Sequence, residues 1–198
     1  MASGLTESAD LIVEDGTGVD GANSYTDIAD ATAYATLRQF GPFQTWLEAD
    51  ESNRVAALIQ ATAYLDIRWR FVGEPSVEDT GLGDPQELAW PRTPAVDSEG
   101  LDVSDTVPFQ IVDATVEYAV RAIDPDTLEA RSLLIDQESL DSANRFIKMK
   151  REKLGPLEEE TRYSETRATS KLRDYGQADR IIRESGLLST TGERTVRS

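Results

Sequence analysis

Between Val107 and Ile123 the chain repeats apolar side chains at steps of three and four: Val107, Ile111, Val112, Val116, Ala119, Val120 and Ile123. At the helical period these positions share one stripe, and a stripe that wide demands a core to lie against. Asp105 or Thr106 stands where a side-chain oxygen caps a first turn, Pro108 where a missing N–H costs nothing, and Asp124-Pro125 where a helix must stop. Nothing on the stripe is chemically reactive, so it speaks to fold and not to function.

Two earlier segments carry the same signature. Thr26 or Asp27 caps a helix running to about Leu37, with Ile28, Ala31 and Ala35 inward and Gly41-Pro42 ending it. Asp50 or Ser52 starts a longer one with Val55, Leu58, Ile59, Thr62, Leu65 and Trp69 on its apolar side. Leu11-Ile12-Val13 reads as a short strand entering a glycine-punctuated loop, whose Asp15, Asp20 and Asn23 lack the spacing of a calcium loop and fit turn chemistry. Gly73 to Pro85 and Thr93 to Asp105 are polar loops around the apolar knot Leu88 to Arg92, and Leu128 to Leu140 carries an irregular helical pattern.

Beyond Ala143 the period shortens to two. Ile147 and Met149 alternate with Lys148, Lys150 and Glu152; Leu154-Gly155-Pro156 is turn chemistry; Leu157 to Tyr163 alternates again with Glu158 and Glu160. This predicts a β-hairpin with one basic and one acidic arm, marginal on its own in water and therefore a candidate contact with other copies or with a partner. The residues to carry such a contact are Phe146, Lys148, Lys150, Arg151, Lys153, Glu158, Glu160 and Tyr163. Gln177 to Ser185 follows as a short helix with Ala178, Ile181 and Ile182 inward and Gly186 in the capping position. Leu187 to Ser198 reads as an unanchored tail. Arg180, Ile181, Ile182, Arg183, Arg194 and Arg197 then form a cation-rimmed apolar stripe suited to an acidic neighbour, and truncation after Gly176 is expected to leave a folded body.

The fold class expected is mainly α, a small helical bundle with a β-hairpin and an extended C-terminal arm, α+β overall. Its parts are an N-terminal strand and loop arm (1–24), a helical core (25–142), the hairpin (143–165) and a C-terminal helix and tail (166–198).

Composition removes most chemistries. The 198 residues include no cysteine and no histidine, so thiolate nucleophiles, disulfides, cysteine-held metals and the commonest general base are excluded. No motif ties two carboxylates together and no glycine-rich phosphate loop occurs, so neither enzymatic activity nor a cofactor or metal is expected. No apolar run approaches the roughly 20 residues of a membrane span, and Met1 to Asp10 lacks the parts of a signal peptide, so a soluble protein without a membrane partner is expected. The formal net charge of −17 is unevenly placed: residues 1–144 hold 28 acidic and 7 basic side chains, net −21, and residues 145–198 hold 9 and 13, net +4. An acidic body disfavours binding to a phosphate backbone, whereas a basic end can meet nucleic acid or an acidic protein surface. Arginines beside Trp69 and Phe71 could stack bases, but Trp69 continues a core stripe in acidic surroundings.

Several features fall in one order: Leu11 to Gly18, Ala22-Asn23-Ser24-Tyr25 before a helix, Ala61 to Asp66, Leu88-Ala89-Trp90-Pro91-Arg92, the helix opened by Val107-Pro108, and the turn Lys153 to Leu157. That order resembles the tailed-bacteriophage head-to-tail adaptor proteins, also called head completion or connector proteins and often labelled DnaT-like. The resemblance covers roughly residues 11–186. It implies a helical bundle with a β-hairpin and a ring, of twelve copies, beneath the portal. Its implied partners are other copies, the portal protein and the next neck or tail protein, with DNA passing through the channel without specific binding. Its implied place is the neck of the virion, reached from the host cytoplasm during assembly. The literal meaning of the label, a single-stranded-DNA-binding accessory protein, is the alternative; it would require a basic groove lined by aromatics. The segment Leu128 to Leu140 and the basic end after Gly186 are longer than that family pattern leads one to expect.

Overall fold

The computed structural model describes residues 11–76, 86–133, 147–153, 158–163 and 174–193. These fall into two compact units, residues 11–133 with 174–193, and the hairpin strands within 147–163. Antiparallel strand pairs accompany a small helical core, an α+β fold.

In the first unit, helix α1 (Ile28–Thr36) begins where Asp27 accepts a hydrogen bond from the Asp30 N–H at 2.8 Å, and buries Ala31 and Ala35. Gly41-Pro42, expected only to end α1, opens a second helix, α2 (Pro42–Glu48). Gly41 takes a positive φ and Pro42 supplies a first turn that needs no N–H, so one dipeptide both stops and restarts the chain. Trp46 of α2 is fully buried, its indole N–H 3.3 Å from the Thr32 hydroxyl of α1.

Helix α3 (Glu51–Arg68) is capped by Asp50, which accepts from the Asn53 N–H at 2.9 Å. Its chain runs straight into strand β1 (Trp69–Phe71), so Trp69 is buried as a strand residue rather than as the last helical position. Short strands β2 (Glu74–Pro75) and β3 (Arg92–Thr93) pair antiparallel, Glu74 with Thr93 and Pro75 with Arg92. The Arg92 guanidinium clasps this corner by donating to the Val72, Gly73 and Ala89 carbonyls.

Helix α4 (Phe109–Ala122) occupies the expected stretch, but it is embedded on more than its apolar stripe. Gln110, Thr115 and Glu117 are buried together with Ile111, Val116, Tyr118 and Val120, because α2, α3 and the C-terminal helix all pack against it. Each large apolar side chain so buried contributes about 1.5–3 kcal/mol. Neither Asp105 nor Thr106 caps the helix: Asp105 adopts φ +56°, the Thr106 hydroxyl donates to the Val103 carbonyl, and Pro108 stands at the cap position without a side-chain bond.

Three further expectations are corrected. Leu11-Ile12-Val13 forms one parallel bridge, Val13 to Ser24, and no strand. That segment belongs to the body and not to an arm, because Glu14 is buried and its carboxylate accepts the Gly16, Gly18 and Val19 N–H groups at 2.8–2.9 Å. Leu128 to Leu133 is not helical; Ile123 bridges Ala130, Leu128 has φ +60°, and Leu134 and Leu140 lie outside the described residues.

The largest correction concerns the C-terminal arm. Helix α5 (Gly176–Glu184) packs on α4, and strand β6 (Leu188–Glu193) pairs antiparallel with β1, Phe71 facing Leu188 and Trp69 facing Glu193. Tyr175, Ala178, Ile182 and Leu187 are core residues. Residues 187–193 are therefore anchored, and a chain cut after Gly176 would lose part of its core.

The described part of the second unit is a hairpin of β4 (Ile147–Lys153) and β5 (Glu158–Tyr163), within the stretch where the alternation placed it.

Candidate interaction surfaces

The hairpin pairs its basic and acidic positions in register. Arg151 is opposite Glu160, Lys153 opposite Glu158, and Lys150 opposite Thr161; one like-charged pair, Glu152 and Glu159, lies between the two opposite-charged ones. Opposite charges at facing positions favour this register over a slip of one residue. Ile147 faces Tyr163, with an irregularity before the Met149–Arg162 pair; Phe146 lies outside the described residues. Lys148, Lys150, Arg151, Lys153, Glu158, Glu160 and Tyr163 are thus brought onto one small sheet.

The C-terminal set is divided. Ile182 is fully buried against the body and is unavailable for docking, whereas Ile181 is half-buried and Arg180 and Arg183 lie on the outer side of α5. Arg180 is paired along the helix with Glu184 at 2.8 Å. The Arg183 guanidinium sits 5.4 Å from the Trp69 ring centre and 3.9 Å from Asp179, so it covers the core edge as much as it faces outward. Arg194 and Arg197 lie outside the described residues. What binds α5 inward is Asp179, fully buried, which accepts from Tyr118 at 2.7 Å, from Arg68 at 2.9 Å and from the Tyr175 N–H at 3.1 Å. Arg68 also bonds Tyr64 and Asp174. Burial, then the Asp179 charge, pushes the Tyr118 hydroxyl far above the ordinary tyrosine range, so it stays a donor.

A second polar knot joins three segments that the sequence showed only as consecutive motifs. Tyr25 donates to the Asp66 carboxylate at 2.8 Å; the Ala89 N–H donates to the same carboxylate at 2.9 Å, and the Trp90 N–H donates to the Tyr25 hydroxyl at 3.1 Å. A third, around Glu117, takes the Tyr34 hydroxyl at 2.9 Å and the Arg121 guanidinium, with Arg38 4.0 Å away. Beside it, burial raises the carboxyl of Asp113 above its ordinary range. The sequence shows Tyr25 and Asp66 only as members of separate motifs and gives no sign of Asp179 or Glu117, because Tyr25 meets Asp66, Tyr118 meets Asp179 and Tyr34 meets Glu117 across 41, 61 and 83 residues.

Aromatic and aliphatic exposure is concentrated elsewhere. Leu37 (85 % exposed) and Phe40 (67 %) stand at the α1–α2 turn, and Phe109 (64 %) at the start of α4. Trp46, Trp69 and Trp90 are at most 1 % exposed. Among the described residues no group of His, Cys, Asp or Glu is arranged to hold a metal ion, and no helix is long and apolar enough to cross a membrane.

No curated protein and no solved structure matches the chain. A family model does, over residues 9–198, and that span is nearly the whole sequence. The chain belongs to the family described as "Putative DnaT-like ssDNA binding protein".

Proposed function

We propose that the chain is a structural head-to-tail adaptor of a tailed phage, assembling into a ring that bridges a portal to the next neck or tail protein around the DNA channel. The observation that carries this reading is the fate of the tryptophans. All three are buried in a unit that comes mostly from the acidic residues 1–144, so the body has no indole platform for bases and a charge that repels phosphate. A wall of that sign suits a channel through which DNA slides without adhering. The hairpin, which belongs to a different unit from the body, supplies a candidate contact between neighbours. In this reading the chain does no catalysis, and it acts at the virion neck after assembly in the host cytoplasm.

The family description favours a second reading, single-stranded DNA binding in replication or packaging. Two measurements separate them. Class averages from electron micrographs of the purified chain, alone and with portal-bearing capsids, should show rings or capsid-attached density. A labelled oligonucleotide titration should show no binding at moderate salt. Tight single-strand affinity that falls steeply with salt, without rings, would overturn the adaptor reading.

A further inference from the structure

We propose that the groove between Leu11–Val13 and the start of α1 receives strand β4 of a second copy of this chain, added edge to edge. The groove holds about 480 Å³ of open space, floored by Leu11, Val13, Ile28 and Ala29 and rimmed by Asp27 and Glu51. Its wall is a strand-like edge with one side used. Asn23 and Ser24 donate to the Ile12 carbonyl, and Glu14 donates to the Ser24 carbonyl, while the Val13 N–H and carbonyl, which point the other way, have no main-chain partner among the described residues. Ile12 lies on the face opposite the groove, its Cδ1 close to Gly21. An extended segment laid here gains main-chain hydrogen bonds and sets alternate side chains on an apolar floor.

Strand β4 fits that description in sequence, backbone and charge. It has seven residues, pairs with β5 on one edge, and has no strand on its other edge among the described residues. Its sequence sets the apolar Ile147 and Met149 beside the cations Lys148 and Lys150, a composition that matches an apolar floor with an Asp27 and Glu51 rim. Donor strand and acceptor groove are different surfaces of one chain. Their union is head-to-tail, and it closes into a ring when the rotation allows. The pairing does not depend on the adaptor reading, because a ring, a chain or a dimer could all be built by it.

The absence of native cysteine makes the test direct. Full-length Ala29→Cys and Met149→Cys chains, mixed and oxidised, are expected to give a disulfide-linked dimer containing one of each, seen by intact mass. Leu101→Cys, also exposed but outside the groove, should link to Met149→Cys at least about tenfold less, since a disulfide needs close approach. Adding Lys148→Glu and Lys150→Glu to the Met149→Cys chain should lower the yield about tenfold, with an unchanged circular dichroism spectrum. No mixed dimer, or equal yields from Ala29→Cys and Leu101→Cys, would overturn the proposal. So would linkage confined within single chains of the double variant, which would mean the hairpin folds onto its own body. Linkage that appears only after residues 1–10 are deleted would also overturn it, by showing that the groove is filled from within. Micrographs decide the adaptor reading separately, so the two can fail independently.

Discussion

The Tyr118 hydroxyl donates to Asp179 at 2.7 Å, tying the central helix to a helix 61 residues further along the chain. Asp179 is fully buried and also holds Arg68, itself 4 % exposed, so the ion pair spans α3 and α5 while Tyr118 brings in α4. Removing Asp179 takes the buried counter-ion from Arg68, leaving it the exposed Asp174, and takes the carboxylate acceptor from Tyr118. We expect Asp179→Ala to lower the unfolding free energy by about 3–5 kcal/mol in urea titrations, and truncation after Gly176 to prevent folding of the body altogether. A cooperative, near-native transition in the truncated chain would show that α5 is dispensable.

Gly186 ends α5 with φ +77°, and a Cβ there would lie 2.5 Å from the Ser98 nitrogen. The Ser98 N–H donates to the Ser185 carbonyl at 2.7 Å, so this loop cannot retreat without losing a bond. Gly186→Ala combines the left-handed backbone penalty with a clash, and should cost about 1–3 kcal/mol or more. Gly100, also at positive φ but facing open space, is the control, and Gly100→Ala should cost clearly less.

Acid should destabilise the body through its loop and cap carboxylates. The Leu101 N–H foremost holds Asp97 below the ordinary aspartate range; the Asn53 N–H does so for Asp50 and the Asp126 N–H for Asp124. A carboxyl lowered in the folded state stabilises the fold above its unfolded value, about 3.9, and loses that contribution as pH falls through the folded value. Thermal midpoints are therefore expected to decline as pH falls below about 4. Asp97→Ala should flatten that decline while lowering the midpoint at neutral pH.

Deleting Lys148 to Glu160 removes most of the hairpin, which belongs to the second unit and not to the body. The near-ultraviolet circular dichroism of the body, dominated by buried Trp46, Trp69, Trp90 and Tyr118, should be unchanged, while self-association seen by sedimentation should fall. Loss of the aromatic signal would place the hairpin in the body's core.

Three of the short motifs that follow one another along the chain meet in the fold. Tyr25, Asp66 and the Ala89-Trp90 backbone come from three of those motifs and form one hydrogen-bonded knot. Read along the chain they are a helix lead-in, a helix end and a proline-stopped apolar cluster.

Sequence by itself determined what depends on neighbours a few residues away. Asp27 and Asp50 cap because a carboxylate reaches an N–H three residues on, and the hairpin forms where period-two alternation flanks Gly155-Pro156. The interior of α4 follows from its three-and-four spacing. Tertiary structure alone decided what depends on distant partners. Glu117 is polar in sequence yet buried, because Tyr34, 83 residues away, comes to meet it. The segment after Tyr175 reads as a weak helix and a loose tail, since its apolar residues are few. It is core because Asp179 finds Arg68 and β6 finds β1 across more than a hundred residues, and no local periodicity records such a pairing.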